Sequence, residues 1–238
     1  MATENSPYDG ARYGRERCTS GSLPRHRHEF GYMCVVISGR FMEAGDAGRF
    51  SAAAGDVLIH QPFEAHLDLF GCAGADVLNL PLPVHGMLSG RSRLRDLDGV
   101  TRLAEGDPGA AAEAAASDWS EVEGEADWPD LLARELRSGR RFALGRWARE
   151  HGLAAETLSR GFRKAYGTTP ARFAAELRAR RAWQALAGTD QPLAALAFDQ
   201  GFADQPHMSR AVRQLTGEAP RHWRRRVNPV QDWTAPSE

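Results

Sequence analysis

LGRWAREHGLAAETLSRGFRKAYGTTPARF, residues 144–173, and LAALAFDQGFADQPHMSRAVRQLTGEAPRHW, residues 193–223, are two copies of one pattern. Equivalent positions in the two copies carry Gly152 and Gly201, Gly167 and Gly217, and Pro170 and Pro220. The offset is 49 residues before the central turn and 50 after it, so the copies differ in length by one residue. That residue falls in a turn, where an insertion costs least. A repeat of this length requires one structural explanation for both copies.

Each copy contains the periodicity of an amphipathic helix. Apolar or small residues recur at i, i+3, i+4 and i+7, namely Leu158, Gly161, Phe162 and Ala165 in one copy and Met208, Ala211, Val212 and Leu215 in the other. The opposite faces are polar and cationic. A short apolar segment precedes each helix and ends at Gly152 or Gly201, where glycine can end a helix in the left-handed conformation. This order predicts two helix-turn-helix units, and residues 170–187 between them are predicted to form a linker helix that opens with proline.

The charge distribution divides the chain in the same place. Residues 140–226 hold 17 Lys and Arg against 7 Asp and Glu, a net of +10, whereas residues 1–139 hold 13 against 22, a net of −9. The whole-chain balance of −1 therefore conceals two regions of opposite sign. A basic module joined to an acidic one indicates a polyanion-binding part attached to a part with a different role.

The C-terminal repeat resembles the DNA-binding domain of the AraC/XylS family of bacterial transcription regulators, over about residues 140–226. The resemblance is carried by AFDQGFADQPHMSR, residues 197–210, and by GEAP, residues 217–220. It implies promoter binding through two helix-turn-helix units and control of transcription by contact with RNA polymerase. Helices between the sensor and the DNA-binding domain commonly form the dimer contact in this family, so a homodimer is also implied, with Leu131, Leu132 and Leu136 as its apolar stripe. A stripe at that spacing is more often intramolecular core.

The resemblance also implies roles for the exposed residues of the two recognition helices. The base-facing positions fall on Glu156, Ser159 and Arg160 in the first helix and on Gln205, Pro206, Ser209 and Arg210 in the second. Arginine can bond to guanine and glutamine to adenine through two hydrogen bonds, so Arg160, Arg210 and Gln205 are the main candidates for base readout. Arg163, Lys164 and Arg213 are expected to contact phosphates. Because the exposed faces differ, we expect an asymmetric DNA target.

The first hundred residues predict a small antiparallel barrel or sandwich, since short apolar runs alternate with glycine-rich turns. Within them, PRHRH at residues 24–28, Gly39, Gly55-Asp56, Pro62 and His66 resemble a reduced cupin. The fold class predicted for the whole chain is α+β with two domains. A cupin-like antiparallel β-barrel with following helices comes first, and an all-α double helix-turn-helix joined by a linker helix comes second.

His26, His28 and His66 are the candidate ligand residues of this barrel. His26 and His28 are two apart on a predicted strand, so both imidazoles point to one face, and His66 can reach them from a paired strand. Three converging imidazoles suit zinc, iron or another divalent ion, or they can hydrogen-bond an organic effector or one another. Tyr32 stands where metal-bearing cupins often place a glutamate. His60 is interpreted as an ordinary surface or turn residue.

The predicted organisation is a sensor barrel over residues 1–85, a helical linker over 86–139, a DNA-binding domain over 140–226 and a disordered tail over 227–238. No run approaches the length of a membrane span and no apolar leader is evident, so a cytoplasmic protein without membrane contact is expected. No carboxylate pair or nucleophile with its base accompanies the histidines, so no catalysis is expected. The predicted function is a sequence-specific transcription regulator whose promoter binding or activation is modulated by an effector in the N-terminal barrel. The alternatives are a ligand-independent DNA-binding protein whose barrel only dimerises, and a metal-dependent cupin enzyme fused to a DNA-binding domain.

Overall fold

An antiparallel β domain forms the first part of the fold. The computed structural model describes residues 13–83, 89–121 and 127–227. Its strands are β1 (Gly14–Cys18), β2 (Gly21–Arg27), β3 (Tyr32–Gly45), β4 (Arg49–Ala53), β5 (Asp56–His60), β6 (Ala65–Pro81), β7 (Gly90–Leu94) and β8 (Trp119–Glu121). They form one sheet in the order β1-β6-β3-β5-β7-β8, with β2 paired to β6 and β4 paired to β3. The predicted antiparallel fold is confirmed.

The two long strands β3 and β6 organise this sheet. They pair from Tyr32 opposite Pro81 to Gly45 opposite His66, and their register shifts on both sides of Gly39. Gly39 has a φ of 77°, a conformation that glycine adopts without a steric penalty. Irregularities of this kind bend a strand and increase its twist. The sheet can therefore curl into a barrel whose interior contains a cavity lined by residues of β1, β2, β3, β5 and β6.

Both faces of the sheet are buried where β3 pairs with β5. Met33 and Val35 on β3 pack in an outer core that includes residues of α1 (Leu97–Ala104) and α2 (Pro108–Ser117). Cys34 and Val36, which alternate with them, belong to a second core on the inner face. Strands buried on both faces are expected to show continuous apolar runs rather than alternation, and β3 and β5 do so.

Helix α3 (Trp128–Arg137) lies within the segment predicted as a helical linker. Asp127 and Asp130 form a reciprocal capping box around its first turn. Leu132 and Leu136 are buried within the chain, at 0% and 8% exposure, whereas Leu131 is 37% exposed. The apolar stripe therefore belongs mainly to intramolecular core, and the homodimer stays a prediction.

The remaining helices follow the repeat. They are α4 (Leu144–Glu150), α5 (Ala155–Tyr166), α6 (Pro170–Gly188), α7 (Leu193–Asp199), α8 (Gln205–Thr216) and α9 (Pro220–Val227). The predicted linker helix corresponds to α6. No helix within the described ranges is long and apolar enough to cross a membrane.

The chain divides into two compact units, one ending at Pro170 and the other beginning at Ala171. The first helix-turn-helix, α4 and α5, lies in the same unit as the barrel, and the second, α7 and α8, has its own core in the second unit. The predicted domain boundaries stay predictions. The predicted tail lies outside the described residues apart from Val227.

Within the first unit, α3 packs closely against α5. Gly161 lies on the face of α5 that meets the Trp128 indole, and a Cβ added at Gly161 would overlap the Trp128 ring. Gly145 in α4 is also helical, but an added Cβ there would come no closer than 3.9 Å to the Arg149 side chain. The two glycines therefore differ in packing while sharing the low helix propensity of glycine.

We predict opposite effects of alanine at these two positions. Gly145→Ala should leave the free energy of unfolding unchanged or raise it by up to about 1 kcal/mol, because alanine is the better helix former. Gly161→Ala should lower it by about 1–3 kcal/mol, because the overpacked indole must move. Urea unfolding followed by tryptophan fluorescence measures both. Equal effects of the two changes would contradict the close contact of α3 with α5.

Candidate DNA interface and barrel cavity

The barrel encloses a cavity of about 520 Å³. The structure brings the predicted trio together there, since His26 lies opposite His66 in the pairing of β2 with β6. The ring centroids are 4.4 Å apart for His26 and His66, 5.0 Å for His26 and His28, and 5.5 Å for His28 and His66. One ring nitrogen of each histidine lies within 4.8 Å of the others. Whether they bind a metal or an organic molecule stays a prediction.

The interpretation of His60 as an ordinary surface or turn residue is wrong. His60 ends β5, is 4% exposed and lines the cavity, with its ring centroid 4.4 Å from that of His66. Its Nε2 atom is 3.4 Å from Glu43 Oε2. The sequence analysis also missed Glu43, which is 4% exposed and projects inward from the second half of β3.

Tyr32 contacts both His60 and His66 in the cavity. Its ring stacks on His60 at 4.5 Å and 21°, and its hydroxyl oxygen is 3.4 Å from His66 Nε2. Tyr32 therefore belongs to the cavity, as its position in the cupin-like pattern suggested. Burial, followed by the nearby Cys34 thiol, raises the pKa of the Tyr32 phenol well above its usual range, which keeps it protonated.

Burial controls the charges in this cavity. It lowers the pKa of His60 to about 3, with a smaller effect of His28 and His26, and it lowers the pKa of His66 well below its usual value. Burial also raises the pKa of Glu43, which faces Asp68, and raises the pKa of Asp68 to about 7. The deep imidazoles are thus uncharged near neutral pH and available as ligands.

The two helix-turn-helix units share the same turn geometry. In the first, Leu153 N donates to Ala148 O at 2.8 Å and Gly152 N donates to Arg149 O at 3.2 Å. In the second, the equivalent donations are 2.9 Å and 2.9 Å, from Phe202 N to Ala197 O and from Gly201 N to Phe198 O. Both are Schellman motifs, in which glycine takes the left-handed conformation, here with φ of 67° and 75°. The predicted role of the turn glycines is confirmed.

The two recognition helices, α5 and α8, each have 12 residues and end alike. Gly167 and Gly217 have φ of 67° and 80°, and each donates its N–H to an arginine carbonyl one turn earlier. The N-termini differ, because the Asp204 carboxylate accepts a hydrogen bond from His207 N whereas Ala154 offers no side-chain cap. The two helices therefore end in the same way and differ at their N-termini, where only α8 has a side-chain cap.

The predicted DNA-contacting residues lie on the outer faces of these helices. The exposed ones among the base-facing positions are Glu156, Ser159, Arg160, Pro206 and Arg210, while Gln205 and Ser209 are half-buried. The predicted phosphate-contacting residues Arg163, Lys164 and Arg213 are all exposed. Leu158, Phe162, Met208 and Val212 on the opposite faces are buried. Each helix therefore presents guanidinium groups outward from a fixed apolar base.

Comparison with protein families decides the class of this region. Residues 147–226 match the family model described as a helix-turn-helix domain. They form an AraC-type helix-turn-helix domain. The chain accordingly contains a DNA-binding domain. A comparison with curated proteins found no match.

Among solved structures, this chain is similar to three regulators at low identity. A probable AraC family transcriptional regulator from Rhodopseudomonas palustris CGA009 has 22% identity over 40% of this chain and 93% of its own, with a TM-score of 0.38. A regulator with an AraC-type DNA-binding domain from Chromobacterium violaceum has 27% identity over 41% and 90%, with a TM-score of 0.37. Fatty-acid-bound ToxT from Vibrio cholerae strain SCE256 has 10% identity over 91% and 95%, with a TM-score of 0.42.

The Asp130 carboxylate joins the barrel, α3 and the first helix-turn-helix. Its Oδ1 accepts hydrogen bonds from Tyr166 Oη at 2.7 Å and Arg49 Nε at 3.1 Å, and its Oδ2 accepts from Arg49 Nη2 at 2.8 Å. Arg49 lies on β4, and Tyr166 is the last residue of α5. Burial favours the neutral form of Asp130, but the bonds from Arg49 and Tyr166 outweigh it and lower the pKa.

A second contact joins the end of α5 to β6. A Cβ added at Gly167 would lie 2.8 Å from Leu67 Cδ2 and 3.4 Å from Arg25 Cβ. The Arg25 guanidinium pairs with the buried Asp46 carboxylate and donates to Ala65 O at 3.2 Å. The Asp46 carboxylate in turn accepts from Ala65 N at 3.1 Å. This end of α5 thus contacts the strand segment that carries His66.

We predict that Asp130→Asn lowers the free energy of unfolding by about 1–3 kcal/mol at pH 7, because hydrogen bonds to a charged acceptor are lost. Because the folded-state pKa of Asp130 is depressed, its stabilisation is present above the unfolded pKa of about 3.9 and is lost as pH falls through the folded value. The difference between wild type and variant should therefore shrink in acid.

Asp127→Asn is the matched control for this change. The Asp127 side chain is 59% exposed in its pair with Arg49, so the variant should cost less than about 1 kcal/mol. Asparagine also keeps the capping role. Urea unfolding at several pH values measures both variants, and a difference for Asp130→Asn that does not shrink as pH falls below the unfolded pKa of about 3.9 would contradict the charged network.

Proposed function

We propose that this regulator binds a specific promoter sequence through α5 and α8, and that a ligand in the barrel cavity modulates that binding. The single observation that supports DNA reading by both units is their matched scaffold. The two units share the hydrogen bonds of the turns before α5 and α8, the terminal glycines of these helices and the positions of their buried apolar residues, while the exposed faces differ. A helix with a fixed apolar base and outward guanidinium groups is suited to the major groove.

The difference between the exposed faces supports an asymmetric target. The first helix presents Glu156 near its start, where the second presents Pro206, which has neither a donor nor an acceptor on its side chain. Arg160 and Arg210 occupy equivalent exposed positions and are the main guanine-reading candidates. We therefore propose two unlike groove-length elements per protomer, of which the first is read in more detail. Contact with RNA polymerase and a homodimer are further proposals that rest on the family resemblance.

Arg160→Ala should relax base preference at one position of DNA selected from random duplexes, with a loss of discrimination of about 1–3 kcal/mol. Arg163→Ala, one turn further along α5, should weaken binding to all DNA sequences alike. It should also reduce the salt dependence of the DNA affinity by the equivalent of about one phosphate contact. Fluorescence anisotropy on the selected duplex and its single-base variants, at several salt concentrations, separates the two effects. If both variants weaken every duplex equally, the assignment of roles within α5 is wrong.

The proposed modulation has a physical route within the first unit. On β6, His66 faces the cavity, whereas Leu67 lies beside Gly167 at the end of α5. A ligand that shifts the backbone at His66 also shifts Leu67 and Ala65, and the Ala65 N–H is bonded to the Asp46 carboxylate. Such a ligand shifts DNA binding only if it prefers one arrangement of α5 over another.

Gly167→Ala tests this route, with Gly152→Ala as its control. Both glycines have a φ of 67°, so alanine should carry a similar left-handed penalty of about 1–2 kcal/mol at each. An added Cβ has open space at Gly152 but meets Leu67 at Gly167. Hydrogen exchange of residues 65–69 should therefore rise in Gly167→Ala and stay near wild type in Gly152→Ala. Unchanged exchange in both variants would remove the contact as a route.

A further inference from the structure

We propose that a divalent transition-metal ion binds in the barrel cavity to Glu43, His60 and His66. The proposal names the chemical class of the cavity ligand and rests on the proposed function only for its regulatory consequence. One donor atom of each residue lies within 4.8 Å of the others, and the three residues are 4%, 4% and 2% exposed. This set is distinct from the predicted trio, with which it shares His66.

The separation of two donors fits an ion between them. Zinc binds imidazole nitrogen and carboxylate oxygen at about 2.0–2.2 Å, so two ligands of a tetrahedral zinc lie about 3.3–3.5 Å apart. His60 Nε2 and Glu43 Oε2 are 3.4 Å apart. That distance is long for a hydrogen bond between these atoms, and Nε2 has no hydrogen-bond partner within the described part of the chain.

Other polar atoms of the cavity residues are also unsatisfied. His66 Nδ1 and Asp68 Oδ1 are also buried without a hydrogen-bond partner among the described residues. A buried polar atom left unpaired is costly and calls for a functional explanation. A cation bound at this point would accept a lone pair from His60 Nε2 and would be attracted by the nearby carboxylates.

The strand pairing makes the case for a cation independently. Glu43 on β3 and Asp68 on β6 are direct cross-strand partners, and both are buried against the cavity. Two carboxyl groups directly opposite each other destabilise a sheet when both are charged. An ion with two positive charges between them reverses that repulsion. Asp68 Oδ2 is 3.8 Å from His66 Nε2, and Tyr32 Oη is 3.4 Å from it, so either residue can complete the coordination.

The donor types select the class of ion. Two imidazoles and one carboxylate suit zinc, ferrous iron and neighbouring divalent transition ions, whereas calcium and magnesium prefer oxygen ligands alone. The trio of His26, His28 and His66 offers three imidazoles and no carboxylate, and His26 and His28 are only half-buried. The set that includes Glu43 supplies both burial and charge compensation, and is therefore the favoured position.

The test measures Zn²⁺ binding to the full chain after removal of metal, by competition with a chromogenic chelator. The wild type should bind Zn²⁺, and Co²⁺ in its place should give the visible absorption of a low-symmetry site. His60→Ala and the nearly isosteric Glu43→Gln should each weaken binding at least about 100-fold, because loss of outer-shell partners alone costs about 10- to 100-fold. His26→Ala is the control and should change binding less than about threefold.

Circular dichroism checks folding, and Glu43→Gln alone decides if His60→Ala does not fold. Loss of binding in His26→Ala with retention in Glu43→Gln would place the ion on the trio and overturn the proposal, as would a folded wild type that binds no Zn²⁺. DNA binding by the metal-free protein is measured in parallel. If the protein binds Zn²⁺ as expected but its DNA affinity is the same with and without Zn²⁺, the metal site is upheld and its regulatory role is rejected.

Discussion

The first unit depends on the bonding of one buried carboxylate. Asp130 is 8% exposed and accepts hydrogen bonds from a barrel strand through Arg49 and from the end of the first recognition helix through Tyr166. Removing one partner would leave the other groups with unmet hydrogen bonds in a desolvated place, which costs more than the net value of any single bond. The barrel, α3 and α5 are thus joined by a shared hydrogen-bond network as well as by apolar contacts. The short chain between α3 and α4 adds little constraint by itself.

The barrel interior differs from the Asp130 network, because its buried polar groups are not fully hydrogen-bonded within the described part of the chain. There, Glu43, His60, His66 and Asp68 are all at most 5% exposed, yet some of their polar atoms have no hydrogen-bond partner among the residues that the structure describes. Desolvation lowers the pKa of the imidazoles, which keeps them neutral, and raises the pKa of the two carboxyl groups. A sheet optimised for stability alone would place apolar residues at these positions. Polar groups that are buried and incompletely bonded are expected where a ligand completes their bonding.

The sequence predicted the elements whose signal is local and missed those whose signal is not. The Schellman turns at Gly152 and Gly201 were predictable because the repeat supplies the period and glycine supplies the conformation. His60 was missed because β5 is buried on both faces, so Val57, Leu58 and Ile59 show no alternation that separates inside from outside. Glu43 follows two register shifts in β3, which make its facing unreadable from spacing. The bonds of Asp130 join residues 36 and 81 positions away, a pairing that no local pattern contains.

Two of the differences between the buried sides of the two copies have a structural cause. Gly161, which packs under the Trp128 indole, corresponds to Ala211, and Tyr166, which donates to Asp130, corresponds to Thr216. In the second copy Thr216 Oγ1 instead accepts a hydrogen bond from Trp223 Nε1 at 2.8 Å, within its own unit. In the first copy, the end of the recognition helix therefore contacts α3 and the barrel rather than residues of its own repeat. This asymmetry supports the proposal that a ligand of the barrel acts on the first recognition helix, because only that copy carries side chains adapted to the contact.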